Sequence, residues 1–322
     1  MTTPLLWRRP AVQRRPSSPI LAEVLAGLRA TPKALSPKFF YDAAGARLFE
    51  EITRLPEYYP TRTELGILRE HAGEIAARLG PKVSLIEFGS GAGVKVRLLL
   101  DALREPAAYV PVDISGEQLA HVAAERRMEY PGVEVVPVQA DYTARLRLPQ
   151  LPAGSRRVAF FPGSTIGNFH PTEATAFLRH VRQVVGPDGA MVLGVDRRKD
   201  PQVLHAAYND AAGVTARFNR NLLVRLNRDV GATFDVQRFA HVAVFDDAKS
   251  RIEMHLESVG SQEVWVGDEV VRFADGETIH TECSYKYDEA RLEALVGAAG
   301  FAIRGAWTDA RDWFWVALLE PC

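Results

Sequence analysis

The run Val83-Ser84-Leu85-Ile86-Glu87-Phe88, followed at once by Gly89-Ser90-Gly91-Ala92-Gly93, limits what this chain can become more than any other feature. Six mostly apolar residues ended by a turn read as a buried strand. The glycines after it let the backbone turn tightly and pass close to a ligand with no Cβ in the way. Helical spacing resumes through residue 103. Further strands are predicted at 108–113, 133–138, 158–161 and 190–195, each separated from the next by a helical segment. Repeated strand–helix units force parallel pairing with right-handed crossovers. The expected fold class is therefore α/β, built on a Rossmann-like, mostly parallel, doubly wound sheet.

The flanks read differently. Apolar residues recur at helical spacing over 18–28, with Ser17 or Ser18 as the cap, and a short helix is predicted at 46–55. Pro56 and Pro60 bracket Glu57-Tyr58-Tyr59, which must be extended or turned. Thr61 then reads as a helix cap, and Glu64 completes a capping box for a helix to residue 79. After Asp196, residues 201–228 look helical, whereas 252–256 and 263–266 alternate with period two, the pattern of an antiparallel sheet. A helix at 289–299 and strands at 301–308 and 313–319 are expected to rejoin the first sheet. The expected division is a core of 57–196 and 286–322, with a smaller α+β domain formed by 1–56 and 197–285.

Charge and cysteine content exclude several function classes. With 39 basic and 40 acidic residues the chain has no bias toward polyanions, so nucleic acid is not an expected partner. No apolar run has the length of a membrane span. Arg8, Arg9, Arg14 and Arg15 interrupt the N-terminus, which reads as a solvated tail rather than a secretory signal. Cys283 and Cys322 belong to no CxxC pattern, so neither a metal site nor a disulfide framework is expected. The expectation is a cytoplasmic monomer acting on a small molecule.

An acid inside the glycine motif, Glu87, favours a cationic sulfonium or ammonium ligand over a pyrophosphate, and the GxGxxG spacing of dinucleotide sites is missing. Asp113 ends the next strand, where a carboxylate can accept both ribose hydroxyls. Asp141 and Tyr142 follow the third strand, placed to hold an adenine amino group and stack on the ring. Gly89 and Gly91 complete the candidate cofactor set, and the implied cofactor is S-adenosylmethionine. Asp113 and Asp141 could also be strand-end caps; three acids at the right strand ends argue for the cofactor. Beyond the fourth strand, Gly163-Ser164-Thr165-Ile166-Gly167-Asn168 lies where open parallel sheets hold ligands.

Several separated runs carry a specific resemblance. They are Lys38-Phe39-Phe40-Tyr41-Asp42, the segment from Ile52 to Glu64, the loop from Gly163 to Asn168, Tyr208-Asn209-Asp210-Ala211-Ala212-Gly213-Val214-Thr215, Arg251-Ile252-Glu253-Met254 and Thr281-Glu282-Cys283-Ser284. In order and content these are similar to the histidine-specific methyltransferases of ergothioneine biosynthesis, from about Pro32 onward. The resemblance implies that Tyr58 borders both cofactor and active site, and that Asn168 and Tyr208 hold the amino acid's backbone end. It places Tyr41 and Gly163 near the substrate amine, with Tyr41 and Tyr58 as the catalytic candidates. Met254, Glu282 and Ser284 would surround the imidazole, and Lys95 would lie near the cofactor. The implied reaction is threefold methylation of the α-amine of L-histidine, giving hercynine. A tryptophan-like N-methyltransferase and a non-catalytic adenosylmethionine-binding module are the alternatives. Glu282 and Ser284 favour imidazole over indole, because an imidazole offers a donor and an acceptor.

Overall fold

The computed structural model describes residues 19–322 apart from Ala92 and Arg145. The four N-terminal arginines and the proposed caps Ser17 and Ser18 lie outside the described residues. The chain runs α1 (Pro19–Arg29), β1 (Lys33–Ala34), α2 (Ala43–Thr53), α3 (Tyr59–Leu79), β2 (Val83–Phe88), α4 (Val94–Ala102), β3 (Ala108–Asp113), α5 (Gly116–Glu129), β4 (Glu134–Val135) and β5 (Val138–Gln139). It continues through β6 (Arg156–Phe161), α6 (Pro171–Val185), β7 (Ala190–Asp196), α7 (Pro201–Tyr208), α8 (Val214–Val230), β8 (Phe239–Asp246), β9 (Arg251–Ser258), β10 (Gln262–Val266) and β11 (Glu269–Phe273). β12 (Thr278–Tyr285), α9 (Glu289–Ala298), β13 (Phe301–Thr308) and β14 (Phe314–Pro321) complete it.

Eight strands form the larger sheet, in the order β13-β14-β7-β6-β2-β3-β4 with β5 also on β3. β2 lies parallel between β3 and β6, and β6 pairs parallel with β7. Both faces are covered: Ile86 and Phe88 of β2 enter one apolar cluster with Phe161, Phe177 and Leu178, while Val83 and Leu85 enter another with Leu68, Leu99 and Tyr109. That is why the strand is nearly continuous in apolar residues rather than alternating. β14 returns antiparallel beside β7, and β13 beside β14, as the C-terminal pattern predicts.

The smaller sheet has the order β1-β12-β9-β8 and is antiparallel apart from β1, with β10–β11 as a separate hairpin. Period two holds along β9. Ile252, Met254 and Leu256 turn into a third cluster with Phe218, Leu222 and Leu226 of α8, while their neighbours face outward. Among the described residues no helix is long and apolar enough to cross a membrane.

Four local expectations are corrected. α3 begins at Tyr59 with Tyr58 as cap and Pro60 in its first turn, so Thr61 is helical and Glu64 closes no capping box. Pro is tolerated there because the first N–H groups of a helix lack partners anyway. α2 starts earlier than expected because the Asp42 carboxylate accepts the Gly45 N–H. The strand expected over 133–138 exists only as the two short pieces β4 and β5. The helical stretch 201–228 breaks at 209–213, where Gly213 takes a left-handed conformation and Asp210 accepts the Val214 and Thr215 N–H groups.

Candidate active site

The glycine turn after β2 has the backbone that its composition demands. Gly89, Gly91 and Gly93 all have positive φ, at 72°, 46° and 64°. A Cβ on Gly89 would stand 3.6 Å from the ring of Tyr142, so the ring lies close over the turn. Asp113 half-emerges at the end of β3, one oxygen capped by the Ser115 N–H at 3.0 Å. Asp141 caps Thr143 through a single oxygen as well. Each therefore is a strand-end cap whose second oxygen has no hydrogen-bond partner among the described residues. Among the described residues the buried Ser90 Oγ in the turn has no hydrogen-bond partner, which is costly unless a ligand supplies one. Ile114, half-exposed beside Asp113, offers an apolar surface at the same edge.

Glu87 is fully buried, and Tyr109 donates to it at 2.5 Å. Burial pushes its carboxyl up to about 8 against that hydrogen bond and the nearby Lys95 and Arg126. A carboxyl so poised ionises when a cation arrives. An orphaned serine, a close-approach turn, two half-free carboxylates and a buried acid waiting for positive charge together fit an adenosyl-sulfonium ligand.

The second half of the site is a cleft walled by tyrosines and polar side chains. Tyr41, Tyr58, Gly163, Asn168, Tyr208, Met254, Glu282 and Ser284 all line it. The elements explain the convergence. Glu282 and Ser284 alternate onto one face of β12, Met254 lies opposite Glu282 on β9, and Tyr208 ends α7. Tyr58 meets Phe49 and Tyr208 edge-on, at 6.1 Å and 6.5 Å between ring centroids.

Burial raises the Glu282 carboxyl to about 7, although Lys286 draws it down. Asn168 Nδ2 stands 3.5 Å from it, a loose contact. Burial and neighbouring tyrosines hold the Tyr58 hydroxyl well above 10. Tyr41 is 42% exposed, but the cleft walls enclose its hydroxyl, and that desolvation, with Glu282, Tyr142, Tyr208 and Asp113 around it, raises it likewise. Those neighbours come from both halves of the site, so Tyr41 stands where the two meet. Both phenols are neutral at physiological pH.

Some functional residues escaped the sequence. Lys95, expected near the cofactor, is paired 2.5 Å from Glu64, whose carboxylate also accepts the Gly163 N–H at 2.9 and 3.0 Å. Glu64 thus ties the helix after the glycine turn to the substrate loop. Asp196, at the end of β7, accepts from Tyr59, Lys199 and Lys286. Lys286 in turn donates to Tyr208 Oη and Ser284 Oγ. Two signals existed. Asp196 ends its strand as Asp113 does, and Lys286 continues the 282, 284 alternation.

A parallel sheet with a glycine turn at the C-terminal end of its first strand, acids at the next strand ends and a cleft with aromatic and polar walls beside them defines a Rossmann-like S-adenosylmethionine-dependent methyltransferase. The family model described as "Histidine-specific methyltransferase, SAM-dependent" matches residues 20–321, and this chain belongs to that family. It is 44% identical to "Histidine N-alpha-methyltransferase" of Mycobacterium tuberculosis, over 92% of this chain and 93% of that protein. It is 32% identical to "Ergothioneine biosynthesis protein 1" of Neurospora crassa, over 88% of this chain and 32% of that longer protein. It is also 28% identical to "4-dimethylallyltryptophan N-methyltransferase easF" of Aspergillus fumigatus, over 90% of each. The cofactor is S-adenosylmethionine.

Proposed function

We propose that this enzyme methylates the α-amino nitrogen of L-histidine three times, producing hercynine for ergothioneine biosynthesis. The observation that carries this reading is the convergence of Glu282, Ser284 and Met254 on one cavity with Asn168, Tyr58 and Tyr41. An acceptor and a hydroxyl two residues apart on a strand suit an imidazole, and an indole would leave one of them unpaired. The names of the relatives at 44% and 32% identity support it.

Glu87, Gly89, Gly91, Asp113, Asp141 and Tyr142 would hold the cofactor, whose sulfonium supplies the electrophilic methyl group when bound. The chain's own residues position the nucleophile. Asn168 and the ring of Tyr208 flank the backbone end of the amino acid, while Gly163 brings backbone close to the amine. The Tyr41 and Tyr58 oxygens accept hydrogen bonds from the amine and aim its lone pair. Being neutral and weakly acidic, they orient the amine rather than take its proton. An α-amine with pKa near ~8 is partly deprotonated at neutral pH. Enclosure keeps water from competing.

The test is methyl transfer by the purified protein across free amino acids, with the methyl count read by mass spectrometry. Trimethylated histidine as the dominant product is expected. Equal turnover of tryptophan, or arrest at one methyl group, would overturn the proposal.

A further inference from the structure

Lys286 is nearly inaccessible, 1% exposed, yet carries a charge next to the substrate cavity. Its three N–H groups are all committed: to Asp196 Oδ2 at 2.8 Å, to Tyr208 Oη at 3.1 Å and to Ser284 Oγ at 2.7 Å. Asp196, itself 0% exposed, is held in the carboxylate form by Lys286 and by Lys199. Tyr59 donates to it from α3.

This arrangement fixes a direction. Tyr208 Oη accepts from Lys286 and donates its own proton to Ser284 Oγ at 2.8 Å. A phenol is the better donor and an aliphatic hydroxyl the better acceptor, which favours that sense. Ser284 Oγ then accepts twice, from Lys286 and from Tyr208, and both of its lone pairs are used. Its one remaining function is its own O–H, for which no acceptor exists among the described residues. The serine meets the cavity as a donor only.

We propose that Lys286, anchored by Asp196, is a positioning residue that fixes Ser284 as an obligate donor, so that the cavity accepts the substrate ring as a neutral imidazole in one tautomer. This rests on the histidine reading above. The bare ring nitrogen faces Ser284, and the N–H faces Glu282, which accepts as carboxylate or through its carbonyl oxygen. An imidazolium would set an N–H against the serine proton and is rejected. The lysine acts through Ser284 and Tyr208 and touches no reacting atom. The groups that bear on it are Asp196 from β7, Tyr208 from α7, Glu282 and Ser284 from β12, Tyr59 from α3 through Asp196, and Lys199.

The test is ¹⁵N NMR of ring-labelled L-histidine bound with S-adenosylhomocysteine, between about pH 6 and about pH 8. Free imidazole titrates near ~6.5 in that range. In the wild type the bound ring should keep one protonated and one bare nitrogen throughout, an acid shift of at least about tenfold in proton affinity. Lys286→Met leaves Asp196 paired with Lys199 and frees one serine lone pair, so the bound ring should take up the second proton at the acid end. Ser284→Ala should do the same and serves if the lysine variant fails to fold. A doubly protonated ring in the wild-type complex overturns the inference with no variant needed, as does an unchanged single tautomer in both variants. Histidine that neither binds nor is methylated would overturn the substrate reading itself. Histidine that is methylated with both ring nitrogens protonated would overturn only the role given to Lys286.

Discussion

Replacing Glu64 by alanine tests the link between the two halves of the site. The side chain is 1% exposed and holds Lys95 at 2.5 Å and the Gly163 N–H at 2.9 Å. Breaking a buried ion pair costs about 3–5 kcal/mol, and a hydrogen bond to a charged acceptor about 1.5–3 kcal/mol. The two are one network and do not add. Lys95 is 17% exposed and can swing toward water, so the lower end applies, about 3 kcal/mol. At ~2–4 °C per kcal/mol for chains of 150–250 residues, the melting temperature should fall by roughly 6–12 °C. Glu64→Gln keeps an acceptor and loses the charge, and should show about half that drop. Gly194→Ala attacks the same carboxylate from the other side, since its Cβ would sit 2.1 Å from Glu64 Oε1. All three should also lower kcat/KM, because Gly163 lines the cavity. The assay is calorimetric melting alongside steady-state methylation. A Glu64→Ala protein that melts within about a degree of wild type with unchanged kcat/KM would refute the idea that this carboxylate holds the loop.

Three other outcomes follow from the same geometry. Asp113→Ala should weaken S-adenosylhomocysteine binding by about 10- to 150-fold, the equivalent of ~1.5–3 kcal/mol for one charge-assisted bond, read by titration calorimetry; unchanged affinity would leave Asp113 as a cap for Ser115 alone. Glu282→Ala combined with a smaller residue at Met254 should shift the histidine-to-tryptophan ratio of kcat/KM toward tryptophan, since donor–acceptor sites discriminate by up to ~10⁴; a constant ratio would mean that the ring is read elsewhere. Burial would raise the Asp196 carboxyl, but Lys286 and Lys199 hold it below its ordinary 3.8, so its contribution to stability is present above that pH and lost as pH falls through the folded value. Asp196→Asn should therefore flatten the acid side of the stability–pH curve, measured by urea unfolding, and an unaltered acid limb would remove Asp196 as its source.

Periodicity and composition determined much of this protein on their own. β2, β3 and β6 could be placed because a strand buried on both faces must be apolar throughout, and the glycine turn because positive φ at three positions admits little else. The alternation over 252–256 marked an antiparallel strand, whereas Met254, Glu282 and Ser284 were placed around the substrate ring by the resemblance alone. The runs from Tyr41 to Ser284 that resemble one family named most of the cavity wall. What the sequence misread were local devices with two uses. Glu64 stands three residues after a threonine and looks like a capping box, yet its carboxylate reaches Gly163, 99 residues away. Only the packing of α3 against the end of the sheet decides between those fates, because both satisfy a backbone N–H. Asp196 and Lys286 are 90 positions apart, and nothing in either neighbourhood signals the other. Each would be prohibitively costly to bury alone, and it is their meeting in space that makes burial possible. Whether Ser284 donates or accepts is likewise beyond any one-dimensional pattern. That is set by which of its lone pairs Lys286 and Tyr208 already occupy, and so by the three strands and helices that bring them together.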